Sequence, residues 1–334
     1  MPIPQELASE ITSGKYHETC LALCDSSLND NDVEDLVKAL RHNKKITQLV
    51  LTGNSIGNDG AKCLATLAHL TALDLTDNRI GPDGAAHLAR SNLTNLSLAA
   101  NEDLGDAGAA AISKSATLTY LNLARCNICD DGAIAIFANS VLEELDISGN
   151  RICNRGVEGI SHNKRLLTVN FTHNNIRALG AKAISLNTHL TKVLLGSNAI
   201  GDDGAKFLAE TASILELDLS QNQIGEAGFL ALCHNPVIQH LSLFFNKICF
   251  TQDKPLPQAL KLMELNLSYN KIKDSPEGPL KSFMTAFPKL NVLSISDNEL
   301  GKSGALIFNQ YRKNLKGLNL SGPGIPTELC SFNF

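Results

Sequence analysis

The chain has 334 residues, of which 43% are hydrophobic, 19% are charged and 5% are aromatic, and it contains no tryptophan. This apolar fraction is ordinary for a folded protein and excludes wholesale disorder. The net charge of -5 argues against a protein that holds nucleic acid by general attraction to phosphate, since that attraction needs an excess of lysine and arginine. The low aromatic content predicts a core filled by aliphatic and small side chains.

The beginning of the chain predicts a small helical element. Residues 1–17 are expected to form a helical cap, because the stretch PQELASEI at 4–11 favours a short helix. No basic start followed by an apolar run is present there, so we expect no Sec-type signal peptide. No stretch approaches the roughly 20 apolar residues of a membrane-spanning helix, so we expect no membrane insertion. The nine scattered cysteines favour reduced thiols.

A repeated phrase dominates the rest of the chain. The pattern L-x-x-L-x-L-x-x-N-x-I-G occurs at 46–57, 70–81, 190–201 and 214–225, with isoleucine at the first site of 46–57 and 214–225 and valine at the fourth site of 190–201. With less regular copies it occurs thirteen times, mostly at a spacing of 24 residues, and a second phrase, G-x-x-G-A-x-x-L-A, usually follows. The asparagine slot of the copies falls at Ser26, Asn54, Asn78, Asn101, Cys126, Asn150, Asn174, Asn198, Asn222, Asn246, Asn270, Asn298 and Pro323. Such self-similarity predicts stacked repeats and argues against a compact α/β domain.

Each part of the repeat predicts a local structure. The L-x-L alternation has a period of two, which predicts a short strand whose leucines face inward. An asparagine buried in the following turn can satisfy the backbone groups of neighbouring repeats. We expect Asp59, Asp83 and Asp203 to cap the helices that follow. Alanine and leucine three residues apart, such as Ala61 and Leu64, then turn a small apolar face inward.

These phrases resemble the leucine-rich repeat family, in particular its ribonuclease-inhibitor-like branch, and the 24-residue form is similar to the GALA-type repeats of bacterial effector proteins. The resemblance implies an α/β fold, a right-handed solenoid or horseshoe with a parallel β-sheet on the concave face and short helices on the convex face. It implies about thirteen repeats over residues 18–326. Residues 327–334 are expected to form a C-terminal cap closed by Leu329, Phe332 and Phe334, or a flexible tail.

The repeat pattern weakens between residues 249 and 285. Pro255 and Pro257 oppose a regular helix within 249–260. Because proline is tolerated at a helix start, the next connection still predicts a helix over 279–287. Loops that depart from a rigid scaffold often carry function, and drift of the repeat is the alternative explanation.

The side chains that alternate with the strand leucines are expected to face the groove. Phe244, Phe245 and Tyr269 fall in adjacent repeats at exposed positions, which makes them candidate binding anchors. The alternative is that the irregular loop at 249–257 folds back over them. The other candidate partner-binding residues are Glu144, Asp146, Lys192, Glu216, Asp218, His240 and Glu264. These residues are acidic on balance, which suits a partner with a basic surface. The alternative is that they form a solvated face without a partner.

The sequence offers little for catalysis. Motifs of zinc proteases, serine hydrolases, P-loops and dinucleotide-binding folds are missing, and the groove histidines and aspartates lie too far apart to share a site. The repeat places Cys126, Cys129 and Cys153 at positions that lie near each other, but a zinc site needs a fourth ligand, and the repeat places none beside them. These positions normally hold small residues of the repeat, so we interpret the cysteines as packing residues. We therefore expect a protein that is not an enzyme and that takes no metal and no cofactor.

The leading hypothesis is a non-catalytic scaffold for protein–protein interaction. The resemblance implies a bacterial effector that occupies the bacterial cytoplasm before export and the host cytosol afterwards. There it would bind a host protein through its concave face and irregular C-terminal repeats. The alternative, also implied by the resemblance, is a regulator of a small GTPase or another enzyme, either GTPase-activating or inhibitor-like.

Overall fold

The computed structural model describes residues 5–13, 15–251, 255–259, 261–274, 279–310 and 312–333. The chain divides into two compact units, Met1–Asn170 and Phe171–Phe334. Each unit is built from short strands that alternate with short helices or turns, as the repeat phrase predicts. The predicted α/β fold class is therefore confirmed.

In the first unit a helix precedes the strands, and helices then alternate with strands. The helices are α1 (Gln5–Thr12), α2 (Asp30–Leu40), α3 (Asn58–Leu64), α4 (Pro82–Leu88), α5 (Gly105–Ile112), α6 (Asp130–Phe137) and a 3-10 helix (Arg155–His162). The strands are β1 (Cys20–Ala22), β2 (Gln48–Val50), β3 (Ala72–Asp74), β4 (Asn95–Ser97), β5 (Tyr120–Asn122), β6 (Glu144–Asp146) and β7 (Thr168–Asn170). Neighbouring strands are parallel, and their central leucine or valine residues lie opposite each other.

The second unit continues the same alternation. Its strands are β8 (Lys192–Leu194), β9 (Glu216–Asp218), β10 (His240–Ser242), β11 (Glu264–Asn266), β12 (Val292–Ser294), β13 (Gly317–Leu320) and β14 (Ser331–Asn333). Its helices are α7 (Ala178–Ser185), α8 (Gly201–Leu208), α9 (Glu226–Cys233), α10 (Pro279–Ala286), α11 (Lys302–Gln310) and two 3-10 helices (Arg312–Asn314 and Thr327–Leu329). Strands β8 to β13 are parallel and in register, and β14 pairs antiparallel with β13.

The core of each unit lies between the strands and the helices. The central leucine of the strand is buried, as at Leu49, and so are the alanine and leucine of the following helix, as at Ala61 and Leu64. Because successive side chains of a strand point to opposite faces, the residues on either side of the central leucine form an open face. The open face of the sheet is where the candidate site is found.

The asparagine slot behaves as predicted. The side-chain nitrogen of Asn222 donates to the carbonyls of Leu195 at 2.7 Å and Ser220 at 2.9 Å, and its oxygen accepts from the N–H of Ile200 at 3.1 Å. Each slot asparagine thus joins its own turn to the turn of the preceding repeat. At Cys126 the thiol takes over the donor role, with 3.0 Å from its Sγ to the carbonyl oxygen of Leu98.

The helix N-termini are capped differently from our expectation. Asp59, Asp83 and Asp203 lie in the first turns of α3, α4 and α8, and the prediction that they act as caps is wrong. The residue one position earlier caps the helix of the next repeat instead. The N–H groups of Gly225 and Gly228 donate to Oδ1 of Asp202 at 2.7 and 3.0 Å.

This capping explains the second glycine of the G-x-x-G phrase. A Cβ atom added to Gly228 would lie 2.7 Å from Oδ1 of Asp202, which is too close for any non-bonded contact. Asn58 and Gly84 stand in the same relation in the first unit, where the corresponding distance is also 2.7 Å. The glycine is therefore needed for close approach between repeats, and not for an unusual backbone angle.

A matched pair of substitutions tests the cap. We expect Asp202→Ala to lower the free energy of unfolding by about 1–2 kcal/mol, because two partly buried N–H groups lose their acceptor. Asp203→Ala removes the same charge one position later, where the carboxylate is paired with exposed Lys206, and should leave stability nearly unchanged. Urea unfolding followed by circular dichroism measures both. Equal losses for the two variants would contradict the inter-repeat cap.

A second row of buried asparagines lies after the helices, and the repeat phrase did not predict it. Asn235 donates to the carbonyls of Ala209 at 2.9 Å and Thr211 at 2.8 Å. Its side-chain oxygen accepts from the N–H groups of Val237 and Ile238. Similar bonds are made by Asn43, Asn139 and Asn163. The repeats are thus joined by hydrogen bonds at both ends of the helix.

The irregular region has the helix content that its prolines predict. The described residues between β10 and β11 form no helix, and α10 begins at Pro279 as expected. Phenylalanines fill the helix side here, with ring centroids 5.8 Å apart for Phe229 and Phe250 and 4.8 Å for Phe283 and Phe287. The expectation of a core with few aromatic rings does not hold in this region. The described residues between β10 and β11 form no helix, and the rings fill the space that a helix occupies in other repeats.

The chain ends contain the elements α1 and β14. Ile11 of α1 is buried, and the carbonyls of Ile11 and Tyr16 accept hydrogen bonds from Asn43. The side chain of Phe332 and the whole of Phe334 lie outside the described residues. The boundaries of the two caps, 1–17 and 327–334, stay predictions.

Candidate functional site

Four of the predicted site residues form one row on the open face of the second unit. Strand pairing places Lys192, Glu216, His240 and Glu264 opposite one another in that order, and we call them the charged row. Lys192 Nζ lies 2.8 Å from Glu216 Oε1, and His240 Nδ1 lies 3.1 Å from Glu264 Oε2. The row therefore alternates between basic and acidic groups, with all four side chains partly exposed to solvent.

A shallow depression of about 270 Å³ lies along this row. Its polar lining includes Glu216, Asp218, His240, Ser242, Glu264 and Asn266. Asp218 is fixed by its own turn, since its Oδ1 accepts from the N–H of Ser220 at 2.9 Å and from the Ser220 hydroxyl. The orientation of the carboxylate is therefore set by its own turn, which suits a fixed electrostatic contact with a partner.

The three predicted aromatic anchors form a continuous cluster beside the depression. We call Phe244, Phe245 and Tyr269 the aromatic cluster. Ring centroids are 5.1 Å apart for Phe244 and Tyr269, 6.2 Å for Phe245 and Tyr269, and 6.2 Å for Phe244 and Phe245. Phe245 is 57% exposed and Tyr269 is 47% exposed. The contact between rings fixes the cluster, and its outer side remains open to solvent.

The backbone of two of these aromatics is in a conformation that bulky residues rarely adopt. Phe245 has φ of 53° and Tyr269 has φ of 58°, in the left-handed region. Ser197 and Gln221 occupy the same position in neighbouring repeats of this unit, and Gly53 does so in the first unit. Left-handed backbone costs a bulky residue on the order of 1 kcal/mol. The conformation therefore belongs to the repeat, and what distinguishes Phe245 and Tyr269 is that aromatic side chains occupy it in two successive repeats.

The irregular loop does not cover the aromatic cluster in its described part. The ring of Phe250 packs against Phe229 on the helix side. The N–H of Leu256 donates to the hydroxyl of Ser282 at 3.1 Å, and that of Ala259 donates to the carbonyl of Ala286. These contacts direct the described loop residues toward α10, away from the open face. Residues 252–254 lie outside the described part.

Glu144 and Asp146, the two remaining predicted site residues, lie on β6 in the first unit. Asp146 accepts from the N–H of Ser148 at 2.9 Å and from the side-chain amide of Asn170 at 2.9 Å. Burial raises the pKa of Tyr120 on the neighbouring strand, and the negative charges of Asp146 and Glu144 raise it further. The phenol of Tyr120 is therefore protonated at neutral pH. These two acids thus belong to the open face of the first unit and not to the depression of the second.

The cysteines of the C-x-x-C stretch fit the repeat. Cys126 is buried in an asparagine slot, and the N–H groups of Cys129 and Cys153 each donate to an aspartate of the preceding repeat. Within the described residues, no group of three or more His, Cys, Asp or Glu side chains is arranged to hold a metal ion. In the same part of the chain, no helix has both the length and the apolar character needed to cross a membrane.

Thiol reactivity provides a test of this placement. Burial raises the pKa of Cys126 to about 11 and that of Cys233 well above its usual range, so both thiols are almost fully protonated near pH 8. Cys24 and Cys153 are exposed. Because the thiolate is the reactive form, iodoacetamide should modify the exposed pair of the folded chain much faster than the buried pair. Peptide mapping by mass spectrometry measures this, and rapid labelling of Cys126 would contradict the fold around it.

The family described as Leucine Rich repeat matches residues 42–65, 66–89, 91–113, 114–137, 138–161, 162–185, 186–209, 212–233 and 258–275. These segments cover more than half of the chain, and each contains one strand and one slot residue of the repeat. No curated protein matches the chain.

Two solved structures share the fold. An internalin (inlF) from Listeria monocytogenes is similar with a TM-score of 0.65 and 20% identity, over 96% of this chain and 84% of the internalin chain. TLR13, in a complex with ssRNA13, is similar with a TM-score of 0.54 and 19% identity, over 84% of this chain and 47% of the TLR13 chain. At these identities the likeness concerns the fold alone, an α/β solenoid of parallel strands and short helices. The chain belongs to the leucine-rich repeat family.

Proposed function

We propose that this chain is a non-catalytic binding protein that holds a protein partner on the open face of its second unit. Leucine-rich repeat scaffolds typically serve protein–protein interaction, and a function must be argued from the particular surface. The observation that carries the proposal is the exposed aromatic cluster, in which Phe245 and Tyr269 keep a left-handed backbone. Aromatic side chains that become buried on binding supply much of the energy of protein interfaces.

The charges of this face favour protein over nucleic acid as the ligand. Glu216, Asp218 and Glu264 line the depression, and Lys192 on the same row is already paired with Glu216. A phosphate backbone requires unpaired lysine and arginine side chains. The structure of TLR13 with ssRNA13 shows that one protein of this fold is found with RNA, but the acidic lining here suits a partner with a basic surface.

The finer classification is also a proposal. We assign the chain to the ribonuclease-inhibitor-like subclass with GALA-type repeats, supported by the 24-residue phrase and by the α-helices that follow strands β1 to β5, β8 and β9. We propose that it is a bacterial effector, made in the bacterial cytoplasm and acting on a protein in the host cytosol. The support for this role is the resemblance of the repeats to those of effectors.

Photo-crosslinking tests the proposed surface. Phe245 is replaced by p-benzoylphenylalanine, and the full chain is incubated in parallel with lysates of eukaryotic cells and of bacteria. The expected result is a discrete adduct from the eukaryotic lysate. The control carries the same probe at Lys206, which lies on the helix side in α8.

Two outcomes would count against the proposal, each on a different point. Adducts of equal yield from position 206, or none from position 245, would contradict binding at the aromatic cluster. A discrete adduct that forms only in the bacterial lysate would support the binding surface and contradict the effector role.

A further inference from the structure

The surface that surrounds the aromatic cluster restricts the chemistry of what can bind there. Resting on the proposed function, we infer that the partner contacts this face with an extended segment that carries a basic side chain and a bulky apolar side chain three or four residues apart. The basic side chain enters the depression at Glu264 and Glu216, and the apolar side chain covers the aromatic cluster.

The two parts of the surface are continuous. His240, Ser242 and Phe244 alternate along one strand and its extension, so their side chains lie on the same face of the sheet. Strand pairing places Glu264 beside His240 and Asn266 beside Ser242. Phe244 follows His240 by four residues, and four residues of extended chain span at most about 14 Å, so one short segment of a partner can reach both.

The charge balance of the depression favours a cation. Three carboxylates, those of Glu216, Asp218 and Glu264, line it, and Lys192 compensates only Glu216. Glu264 is 52% exposed, and its one ion-pair partner among the described residues is His240, which carries charge only when protonated. A lysine or arginine of the partner can therefore pair with Glu264 without displacing an existing cation. Val292, the neighbour of Glu264 on the other side, offers no charge.

The shape of a basic side chain also suits this surface. Lysine and arginine carry an apolar stem behind the charged group, so the stem can lie over Ser242 and the edge of the cluster while the head reaches the carboxylates. On the far side of the cluster the charge changes sign, since Lys247 and Lys271 each follow two residues after an aromatic of the cluster. A basic group of the partner is therefore favoured on the strand side of the cluster over the side of these two lysines.

Designed peptides test the inference with the full chain. The probe is a fluorescent glycine–serine peptide that carries one arginine and one phenylalanine separated by three residues, titrated at about pH 8, where histidine side chains are normally neutral. Matched peptides replace the arginine by glutamate or the phenylalanine by alanine. Fluorescence polarisation is expected to show binding of the parent peptide and at least about tenfold weaker binding of each altered peptide.

Variants of the protein separate the two contacts. Glu264→Gln should reduce the preference for arginine over glutamate severalfold while the dependence on phenylalanine persists. Gln221→Asn, an exposed change at the aromatic position of the preceding repeat, should leave both preferences intact. Equal binding of the arginine and glutamate peptides, or no binding of the parent peptide at about 1 mM, would overturn the inference. Failure of the proposed function would appear separately, as a missing cross-link at position 245.

Discussion

Replacing Asn222 by leucine is expected to lower the free energy of unfolding by about 3 kcal/mol or more. The side chain is fully buried and satisfies two carbonyls and one N–H group, in two successive repeats. Each buried backbone group left without a partner costs about 1–3 kcal/mol. Leucine has the same number and branching of side-chain heavy atoms as asparagine and is somewhat bulkier, so the substitution leaves no cavity to account for the loss.

Chemical unfolding in urea, followed by circular dichroism, measures this effect. The control is Asn314→Leu, the same substitution at an exposed position of the second unit. Because stacked repeats depend on their neighbours, we also expect the transition of Asn222→Leu to broaden or to split. A loss below about 1 kcal/mol would contradict the role of the asparagine row in joining repeats.

Replacing Phe245 and Tyr269 together by asparagine is expected to weaken the cross-linked partner's affinity at least about thirtyfold, which corresponds to about 2 kcal/mol. Stability should remain unchanged or rise slightly, because asparagine tolerates the left-handed backbone better than an aromatic residue does. The combination matters, since a loss of binding with intact stability cannot be explained by misfolding.

Isothermal titration with the purified partner measures the affinity, and urea unfolding measures the stability. Gln221→Asn places asparagine at the same backbone position one repeat earlier and should preserve both. If the double variant binds as tightly as the parent chain, the aromatic cluster is only a feature of local packing. A clear loss of stability would show instead that the rings support the fold.

Much of the fold follows from local sequence. Local pattern alone predicts the strand around Leu217, the buried turn at Asn222 and the inward helix face at Ala205. None of these predictions requires knowledge of distant residues. The charged row could also be read from the sequence, since Lys192, Glu216, His240 and Glu264 follow at the regular spacing of 24 residues. Equivalent positions in successive repeats become neighbours across the sheet, so repeat phase predicts contacts.

What escaped prediction depends on how one repeat is placed against the next. Asp202 and Asp203 both suit a helix N-terminus, and only the offset between repeats decides that Asp202 reaches Gly225. The second row of buried asparagines, which includes Asn235, is not part of the predicted repeat phrase. Some copies carry serine or threonine at that position, as at Ser115 and Thr211. The rings of Phe229 and Phe283 fill space left by a missing helix, and a sequence pattern does not show how large that space is.

The most direct test of the binding surface is oxidative footprinting of the aromatic rings with and without the cross-linked partner. Hydroxyl radicals modify exposed rings, and Phe245 and Tyr269 are 57% and 47% exposed in the free chain. If the partner covers the aromatic cluster, oxidation of both rings should fall severalfold in the complex, while labelling of helix-side residues stays unchanged. Unchanged oxidation of Phe245 and Tyr269, with protection on the helix side instead, would show that the partner binds elsewhere.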